Sequence, residues 1–475
     1  MKKLNELIDT NLDVNVTGIK INSKEILEGD MFVCIHGVNT DRHDFIEEAI
    51  SNGASCIIVD KDIECSIPHV KVLDTNYILP DLCRKFYDFD KLNLKIIGVT
   101  GTDGKTTTAT CIQYLIGKDK CGYIGTNGVI CDKFTVDSPN TTPDPTLLYK
   151  YFKDFYEAGC RYVVIEASSE GFLRGRLDDL EFSVAGYTNV TWEHINIHGT
   201  FDDYLDCKLR CASQTNGKFI VNSDDPYHDK FVEKSMSSLS YGVSSDNDLI
   251  IKKYDITPKY TIVKFSYNNE DYEFMSPLLG KFNVYNLACA YLICLSLGCD
   301  IETLIDRTMD IDVSGRIDMI DLGQPFKVMV DYAHTPNGIK AILEFVRVLH
   351  VNKAIVVIGS AGERDYKKRP LMGRTVIENA DYAIFTYEDP RSEDPKEIIN
   401  QIVSQIEDKT KYEIVVDRSL AIKRAIDIAE DNDIVLVLGK GNETYEKLKD
   451  KTIYFNDIEE CEKWIKNRMQ ETVNE

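Results

Sequence analysis

The chain has 475 residues, of which 43% are apolar, and a formal net charge of −23 at pH 7. That length fills two to four domains of about 100–200 residues each, with apolar content enough for ordinary globular cores. The acidity excludes a nucleic-acid binder and a protein that coats anionic membranes, because either ligand would be repelled by most of the surface, but a local basic pocket for phosphates remains open.

Residues 1–92 read as a small α/β unit. Strand-like runs at 31–35 and 55–59 bracket a helical stretch at 44–52 that ends at Gly53, the pattern of a parallel β-α-β unit. Residues 93–312 open on the apolar run 94–99, which leads into GVTGTDGKTTT at 98–108. This is a strand, a glycine-rich turn and a helix start. Backbone N–H groups at such a turn attract a polyphosphate. Gly101 and Gly104 carry no Cβ, so the backbone can come close. Lys105 adds a point charge for the outer phosphates, and a threonine hydroxyl, from the run that Thr106 and Thr107 begin, can join Mg²⁺. The strict phosphate-loop spacing fails, since Val99 stands where its first glycine belongs.

Further strands are predicted at 162–166, 184–188 and 219–222, with helices between them. The alternation points to a doubly wound sheet, whose ligands gather at the carboxyl ends of strands. An amphipathic helix rich in Ala, Leu and Cys is predicted over 278–298, entered through GKFNVYN. The pattern resets at VSGR, 313–316. Residues 313–475 carry predicted strands at 326–330, 354–358, 382–386, 413–416 and 434–438, a second α/β unit of Rossmann type. The charged tail after Ile465 is expected to fray. The 14 cysteines are scattered without a C-x-x-C pair, so buried free thiols are expected. No long apolar core marks a signal peptide, and no run reaches the ~18–20 apolar residues of a membrane span. A cytoplasmic protein without membrane insertion is expected.

Polar clusters sit at the strand ends. Glu166 closes RYVVIE, either as a Mg²⁺ ligand beside the phosphate loop or as an exposed strand-end residue. His194 and His198 follow the strand that ends at Thr188 and Asn189. Each alone reads as a structural or surface histidine; beside Glu166 and the loop, His194 becomes a candidate ligand for a second metal ion. Lys208, on the next helix, reads by itself as a surface lysine. NSDDP at 222–226 reads as an Asx-type turn. VDYAHTPNGI at 330–339 carries Asp331 and His334. GSAGERDYKKRP at 359–370 joins glycines to basic residues, the pattern of an anion site. In YEDPRSEDP at 387–395, Arg391 is held between prolines and can grip a carboxylate bidentately. LGKGNETYE at 438–446 ends a buried strand, with Glu443 placed for a substrate amine.

With TTPDPTLLY (141–149), EASS (166–169), TNVTWEHINIHGTFDDYLDCK (188–208) and SGR (314–316), these pieces stand in one order. In that order the chain resembles the Mur ligases of peptidoglycan synthesis. Within them it is similar to the branch, the MurE type, that adds the third amino acid to UDP-N-acetylmuramoyl-L-alanyl-D-glutamate. TTPDP, DYAHTP and GKG-ETY mark that branch; the first unit matches more loosely, through INSKEILEGDMFVCIHG and DRHDFI. The resemblance implies three α/β domains: 1–92 for the UDP-substrate, 93–312 for ATP and 313–475 for the amino acid. It implies an ADP-forming amide ligase that works through an acyl phosphate, with ATP and Mg²⁺. The implied partners are UDP-N-acetylmuramoyl-dipeptide and a diamino acid, meso-2,6-diaminopimelate first, and the chain is expected to be a monomer. One alternative is a ligase for lysine or another amine on the same or a related acceptor. Another is a non-catalytic nucleotide-binding regulator, against which the presence of Lys105, Glu166, His194 and Lys208 speaks.

By the same resemblance, Lys105 and Thr106, with Gly101, Thr102, Gly104 and Thr107 of their loop, hold ATP phosphates and Mg²⁺. Glu166 and His194 match metal ligands. Lys208 matches the lysine that the family carbamylates, which turns a cation into a metal-binding anion. Asn283 and Asn286 match the adenine-side motif, Arg316 the hinge arginine, and Asp331 and His334 the ATP-facing loop of the third domain. Thr141, Thr142, Ser168, Arg174 and Arg176 match positions that hold the muramoyl-peptide and its phosphates; Ser23 matches the uridine-side serine. Arg364, Asp389, Arg391, Gly439 and Glu443 match the pocket for the added amino acid. The chain departs from the pattern at several places: NSK at 22–24 for DSR, Glu170 for His, Trp192-Glu193 for Arg-Asp, EDPR for DNPR and GKGNE for GKGHE. Arg391, which goes with diaminopimelate in the family, is retained. Asp389 in place of Asn is expected to add negative charge beside the substrate's distal ammonium–carboxylate group and to retune the choice of amino acid.

Overall fold

Parallel strands buried on both faces organise the computed structural model, which describes residues 1–37 and 40–474. The first sheet has four parallel strands in the order Ile19–Lys20, Met31–Val33, Cys56–Val59 and His69–Lys71. Its two middle strands are buried throughout, so they read as unbroken apolar runs. The helical stretch between them divides into a tight turn, Arg42–Phe45, and the helix Ile46–Ser51.

The second sheet has eleven strands. Its parallel part runs, in space, through Cys121–Gly125, Tyr162–Glu166, Lys95–Thr100, Val184–Tyr187, Phe219–Asn222, Ser238–Gly242 and Leu249–Ile256. Antiparallel strands extend both edges, Thr261–Tyr267 and Glu270–Ser276 on one side, Gly128–Ile130 and Thr135–Val136 on the other. Lys95–Thr100 lies between Tyr162–Glu166 and Val184–Tyr187, and the chain crosses from one side of it to the other between those two. Loops that leave such a switch point diverge and open a crevice at the carboxyl ends. The helix Lys105–Ile116 starts there. The helix predicted over 278–298 is Lys281–Ser296, but it is not amphipathic: its residues from Asn283 to Cys294 are buried almost without break. It packs against Lys105–Ile116 and the sheet, which leaves its middle turns no solvent face to make polar.

The third sheet runs Asp318–Ile320, Lys327–Asp331, Ile434–Leu438, Ala354–Ile358, Tyr382–Phe385 and Tyr412–Ile414, parallel except for the first. The carboxyl ends of its central strands carry Asp331, Gly359, Thr386 and Gly439. The tail does not fray after Ile465; it continues as the helix Asp457–Asn474, anchored by buried Cys461 and Ile465. All fourteen cysteines are free, eleven of them buried. Among the described residues no helix is long and apolar enough to cross a membrane.

The start of the last helix is tied to the sheet by a buried ion pair. Arg418 donates from Nε and Nη2 to Asp457 at 2.8 and 2.6 Å, and from Nη2 to the Leu438 carbonyl at 3.0 Å. Removing one partner of such a pair strands a charge in a dry interior, at a cost of about 3–5 kcal/mol. Arg418→Ala should lose stability of that order in urea unfolding of the third unit; a loss under ~1 kcal/mol would show that water reaches Asp457.

Candidate active site

The carboxyl ends of the second and third sheets face each other across one cleft of about 1090 Å³. The phosphate loop forms its floor. Gly104 adopts φ of +85°, and a Cβ there would stand 2.3 Å from Asn286 Oδ1, so only glycine fits between loop and helix. The first turn of Lys105–Ile116 has no side-chain cap, which leaves its N–H groups for a ligand. Lys105 Nζ folds back on the loop and donates to the carbonyls of Gly101 and Thr102 at 3.0 and 2.8 Å. Burial pushes its pKa down.

Glu166 is fully buried at the end of its strand. Its carboxylate accepts from Tyr123 Oη at 2.6 Å, Thr126 N–H at 2.9 Å and Thr106 Oγ1 at 3.0 Å. It is not an exposed strand-end residue. Lys208 is not a surface lysine either: it is 1% exposed, donates to the Gly101 carbonyl, and lies 4.6 Å from the Tyr204 ring centroid. Burial and then the nearby Lys105 charge hold its pKa well below the usual lysine value. The same causes, burial followed by Lys105 and Lys208, keep His194 neutral. Its ring makes no hydrogen bond among the described residues, and its backbone takes φ of +58°, strained for a non-glycine residue.

Among the described residues, three polar contacts join the two bodies across the cleft. Lys368 Nζ and Glu193 Oε1 form an enclosed ion pair at 2.9 Å. Thr335 Oγ1 donates to Asp103 at 3.2 Å, and Arg316 Nη2 approaches Thr106 Oγ1 at 3.4 Å. Asp331, buried at its strand end, accepts from the N–H groups of Ala333 and Ile317 at 2.7 and 2.9 Å. In GSAGERDYKKRP, Lys368 is thus committed to Glu193, and Arg369 to Glu393 at 2.7 Å. That overturns the reading of the whole segment as an anion site. Arg364 alone of its cations remains exposed on the cleft wall.

At the far end, Arg391 takes φ of +53° and donates its N–H to the Lys447 carbonyl at 2.9 Å. Its buried Nε has no partner. Lys440, fully buried, reaches Asp389 at 2.8 Å and Glu443 at 3.1 Å. Asp389 thus brings its carboxylate into the pocket beside Glu443, with the single Lys440 ammonium between the two. Ser360 Oγ, Asp365 Oδ2, Glu388 Oε2 and Glu193 Oε2 are also buried without a partner, and all line this cleft. Such atoms are rare in folded proteins, and their concentration here marks a place for a polar ligand.

The cleft brings together Thr102, Gly104, Lys105, Thr106 and Thr107 of the loop with Glu166 and His194. Asn286, Arg316, Asp331 and His334 line it, as do Thr141, Thr142, Ser168 and Arg176, and so do Arg364, Asp389, Arg391 and Glu443. Gly101, Lys208 and Asn283 lie just beneath the lining; Asn283 Oδ1 accepts from Asn286 Nδ2 at 3.0 Å. Gly439 backs Glu388, where a Cβ would stand 2.6 Å from Oε2. Arg174 lies outside the lining, 3.6 Å from Glu170. Ser23 lies in the first unit, buried and donating to Glu48. The sequence reading missed Glu193, Lys368 and Lys440. Lys440 stood inside a quoted motif and was passed over as part of a glycine turn.

A phosphate loop on one α/β body, facing a charged pocket on the next, defines a nucleotide-dependent ligase with its acceptor chemistry between two domains. The chain belongs to the Mur ligase family, ATP-dependent enzymes that form amide bonds and release ADP. Residues 15–87 match the Mur ligase family catalytic domain, 99–294 the Mur ligase middle domain and 315–441 the Mur ligase glutamate ligase domain. The UDP-N-acetylmuramoyl-L-alanyl-D-glutamate–2,6-diaminopimelate ligase of Clostridium perfringens is 35% identical over 473 residues, 96% of each chain. That of Geobacillus kaustophilus is 33% identical over 467 residues, again 96% of each. A solved structure of a ligase of that name superposes with a TM-score of 0.69 at 27% identity, covering 98% of this chain and 99% of the other. The fold is shared with the MurF ligase of Thermotoga maritima, solved with ADP, at a TM-score of 0.70, 19% identity and coverage of 96% and 98%.

His334 generates a test of the cleft's electrostatics. Its Nδ1 lies 2.9 Å from the Tyr332 carbonyl, and burial, then Lys368, hold its pKa well below the ordinary histidine value of 6.5. The unfolded chain binds this proton near 6.5 and the folded chain does not. Stability from this group is therefore complete above that pH and falls as pH drops below it, by up to about 1.4 kcal/mol per unit. Between about pH 7.5 and 5.5 the wild type should lose more stability than His334→Gln. Parallel pH profiles would refute the assignment.

Proposed function

We propose that this chain joins 2,6-diaminopimelate to UDP-N-acetylmuramoyl-L-alanyl-D-glutamate, with ATP converted to ADP and phosphate. The observation that carries the amino-acid part is Arg391, an under-paired guanidinium beside Glu443 at the far end of the cleft from the phosphate loop. The names of the full-length relatives support the same substrates.

The chemistry follows from the weakness of a carboxylate as an acyl donor. A carboxylate oxygen of the acceptor attacks the γ-phosphorus, the new O–P bond forms, and the bond to ADP breaks. The amine nitrogen then attacks the acyl carbon, loses a proton and expels phosphate through a tetrahedral intermediate. Positioning supplies most of such a phosphoryl transfer. Lys105 leaves its two loop carbonyls for the phosphates, and the first-turn N–H groups receive their oxygens. Asn286 and Asn283 face adenine; Arg316, Asp331 and His334 close on the nucleotide from the third unit. Thr141, Thr142, Ser168 and Arg176 hold the muramoyl-peptide, with Arg174 at the rim and Ser23 toward the uridine. Arg364, Asp389, Arg391, Gly439 and Glu443 surround the amino acid.

The residues present fit Mg²⁺, which takes oxygen ligands readily: the Glu166 carboxylate, the Thr106 hydroxyl, the neutral His194 ring and a carbamylated Lys208 would hold it. When bound, it spreads the negative charge of the phosphates. Lys208 suits carbamylation because its depressed pKa exposes a free amine. The nitrogen of the neutral amine adds to the carbon of CO₂ and one proton leaves, so the neutral side chain becomes an anion.

The deciding experiment measures phosphate release with ATP, UDP-muramoyl-dipeptide and single amino acids. Release with diaminopimelate and not with lysine is expected, and Arg391→Ala should raise the KM for diaminopimelate at least tenfold with little change for ATP. Release with lysine instead, or equal effects on both KM values, would overturn the amino-acid assignment. Lys208→Ala should abolish turnover, with partial recovery when a short carboxylic acid is added. An unimpaired variant would remove the carbamate.

A further inference from the structure

Outside the cleft, the first unit holds a cluster that the ligase reaction does not use. We infer that His36, His43 and Asp60 form a binding site for a divalent ion of the zinc class, with Asp41 as its supporting carboxylate. The three residues bring one ligand atom each within 4.8 Å of one another. The fold places them together. His36 follows the strand Met31–Val33, Asp60 follows its parallel neighbour Cys56–Val59, and His43 lies in the turn Arg42–Phe45 between them.

The two imidazoles are turned the same way. His43, with 2% of its side chain exposed, has Nδ1 at 2.6 Å from Asp41 Oδ1 and Nε2 at 3.4 Å from Asp60 Oδ1. The Asp60 backbone N–H also points at that Nε2, at 3.4 Å. A proton on Nδ1, donated to Asp41, leaves the Nε2 lone pair facing Asp60. His36 repeats this polarity, with Nε2 at 2.8 Å from Asp60 Oδ2 and Nδ1 at 3.8 Å from Asp41 Oδ1. Both rings therefore turn Nε2 toward Asp60, and His43 also has Nδ1 bonded to Asp41, the outer-carboxylate pattern that orients metal-ligating histidines.

The frame around the cluster is built. Asn76 pins the His36 backbone, accepting its N–H at 2.8 Å and donating to its carbonyl at 3.0 Å. Thr75 Oγ1 donates to Asp60 at 3.1 Å, and Lys61 holds Asp41 at 2.8 Å. Bonds of about 2.0–2.2 Å in a tetrahedron space their ligand atoms about 3.3 Å apart. Each Nε2 faces one oxygen of the Asp60 carboxylate, His36 at 2.8 Å from Oδ2 and His43 at 3.4 Å from Oδ1, within the 4.8 Å that spans the cluster, so small side-chain shifts bring the three to that spacing. Two imidazoles and one carboxylate suit zinc, whereas magnesium and calcium prefer oxygen sets. His36 is half exposed, so a fourth position opens to solvent for a water or an anionic oxygen.

The test uses the full chain, stripped with a chelator and kept in excess Mg²⁺ so that the cleft does not take up the probe. Zn²⁺ bound per chain is measured by elemental analysis after gel filtration, and Co²⁺ is added separately to read the visible absorption of a tetrahedral site. Wild type and His194→Ala should each retain one zinc ion, melt at a higher temperature with zinc, and show the tetrahedral cobalt bands. His36→Ala and Asp60→Asn should lose all three signals, and Asp41→Asn should bind about 10–100-fold more weakly. His36 is half exposed, and circular dichroism checks that each variant folds. Equal zinc and cobalt signals in wild type and His36→Ala, signals lost in His194→Ala, or no retained zinc in wild type would overturn the site. In the last case the cluster is a hydrogen-bonded His36–Asp60 pair and nothing more.

Discussion

One carbonyl oxygen, that of Gly101, accepts from the ammonium groups of both Lys105 and Lys208. Among the described residues neither lysine pairs with a carboxylate. Enclosed charges are normally paired, because losing water costs several kcal/mol per ion. Here the partners must arrive from outside or be made in place. Under the proposed function, a polyphosphate would satisfy Lys105 and carbamylation would remove the problem at Lys208. The rest of the cleft floor follows from this constraint. His194 stays neutral because it is buried and, after that, because Lys105 and Lys208 stand near it. Glu166 makes no ion pair with either lysine and is held instead by donors from Tyr123, Thr126 and Thr106.

The second constraint is that the site is complete only across two bodies. Its polar cross-cleft contacts are few, an ion pair, a threonine–carboxylate hydrogen bond and a long arginine contact, beside a small apolar patch where Leu279, Phe282 and Ile256 meet the core of the third unit. Interfaces of this kind resemble transient ones and permit the bodies to part, as a bulky nucleotide-linked substrate requires. Glu193 precedes His194 in the chain. Its pairing with Lys368 therefore acts on the backbone that carries the proposed metal ligand, and closure and ligand placement share one loop.

Strands buried on both faces were legible because they are unbroken apolar runs; Ile434–Leu438 is buried at every position. The antiparallel arm Leu249–Ile256, Thr261–Tyr267 and Glu270–Ser276 was not. Its outward positions carry Lys and Glu, which dilute the apolar signal. The helix Lys281–Ser296 is buried rather than amphipathic, and of its asparagines Asn286 reaches the cleft while Asn283 supports it from beneath. The burial of Lys208 did leave a trace. Tyr204, Leu205, Lys208, Cys211 and Ala212 share one face at helical spacing, so the lysine stands on an apolar stripe. Glu193 and Lys368 lie 175 residues apart, and no local pattern joins them. The family motifs brought their neighbours to notice, not their pairing.

The charge of the amino-acid pocket now distinguishes between substrates. Burial works against the Lys440 ammonium, yet Glu443, Asp389 and Glu388 outweigh it and raise its pKa. Glu388 is pushed the other way, chiefly by burial, and retains its proton more readily than an ordinary carboxyl. Lys440 is shared between Asp389 and Glu443, so one cation faces two carboxylates, and Arg391, whose buried Nε has no partner, is the cation left for a ligand's anion. An ammonium beside a carboxylate matches these opposed charges. Diaminopimelate carries this arrangement at both ends, so one end can react while the other is held. Lysine would bring only its side-chain ammonium to the distal position and leave the Arg391 guanidinium enclosed without an anion. A site built to pair a group rejects the analogue that lacks it far more strongly than a site that only encloses it. The retention of Arg391, with an Nε that has no partner in the protein, therefore argues for the diacid over lysine even though the surrounding motif has changed.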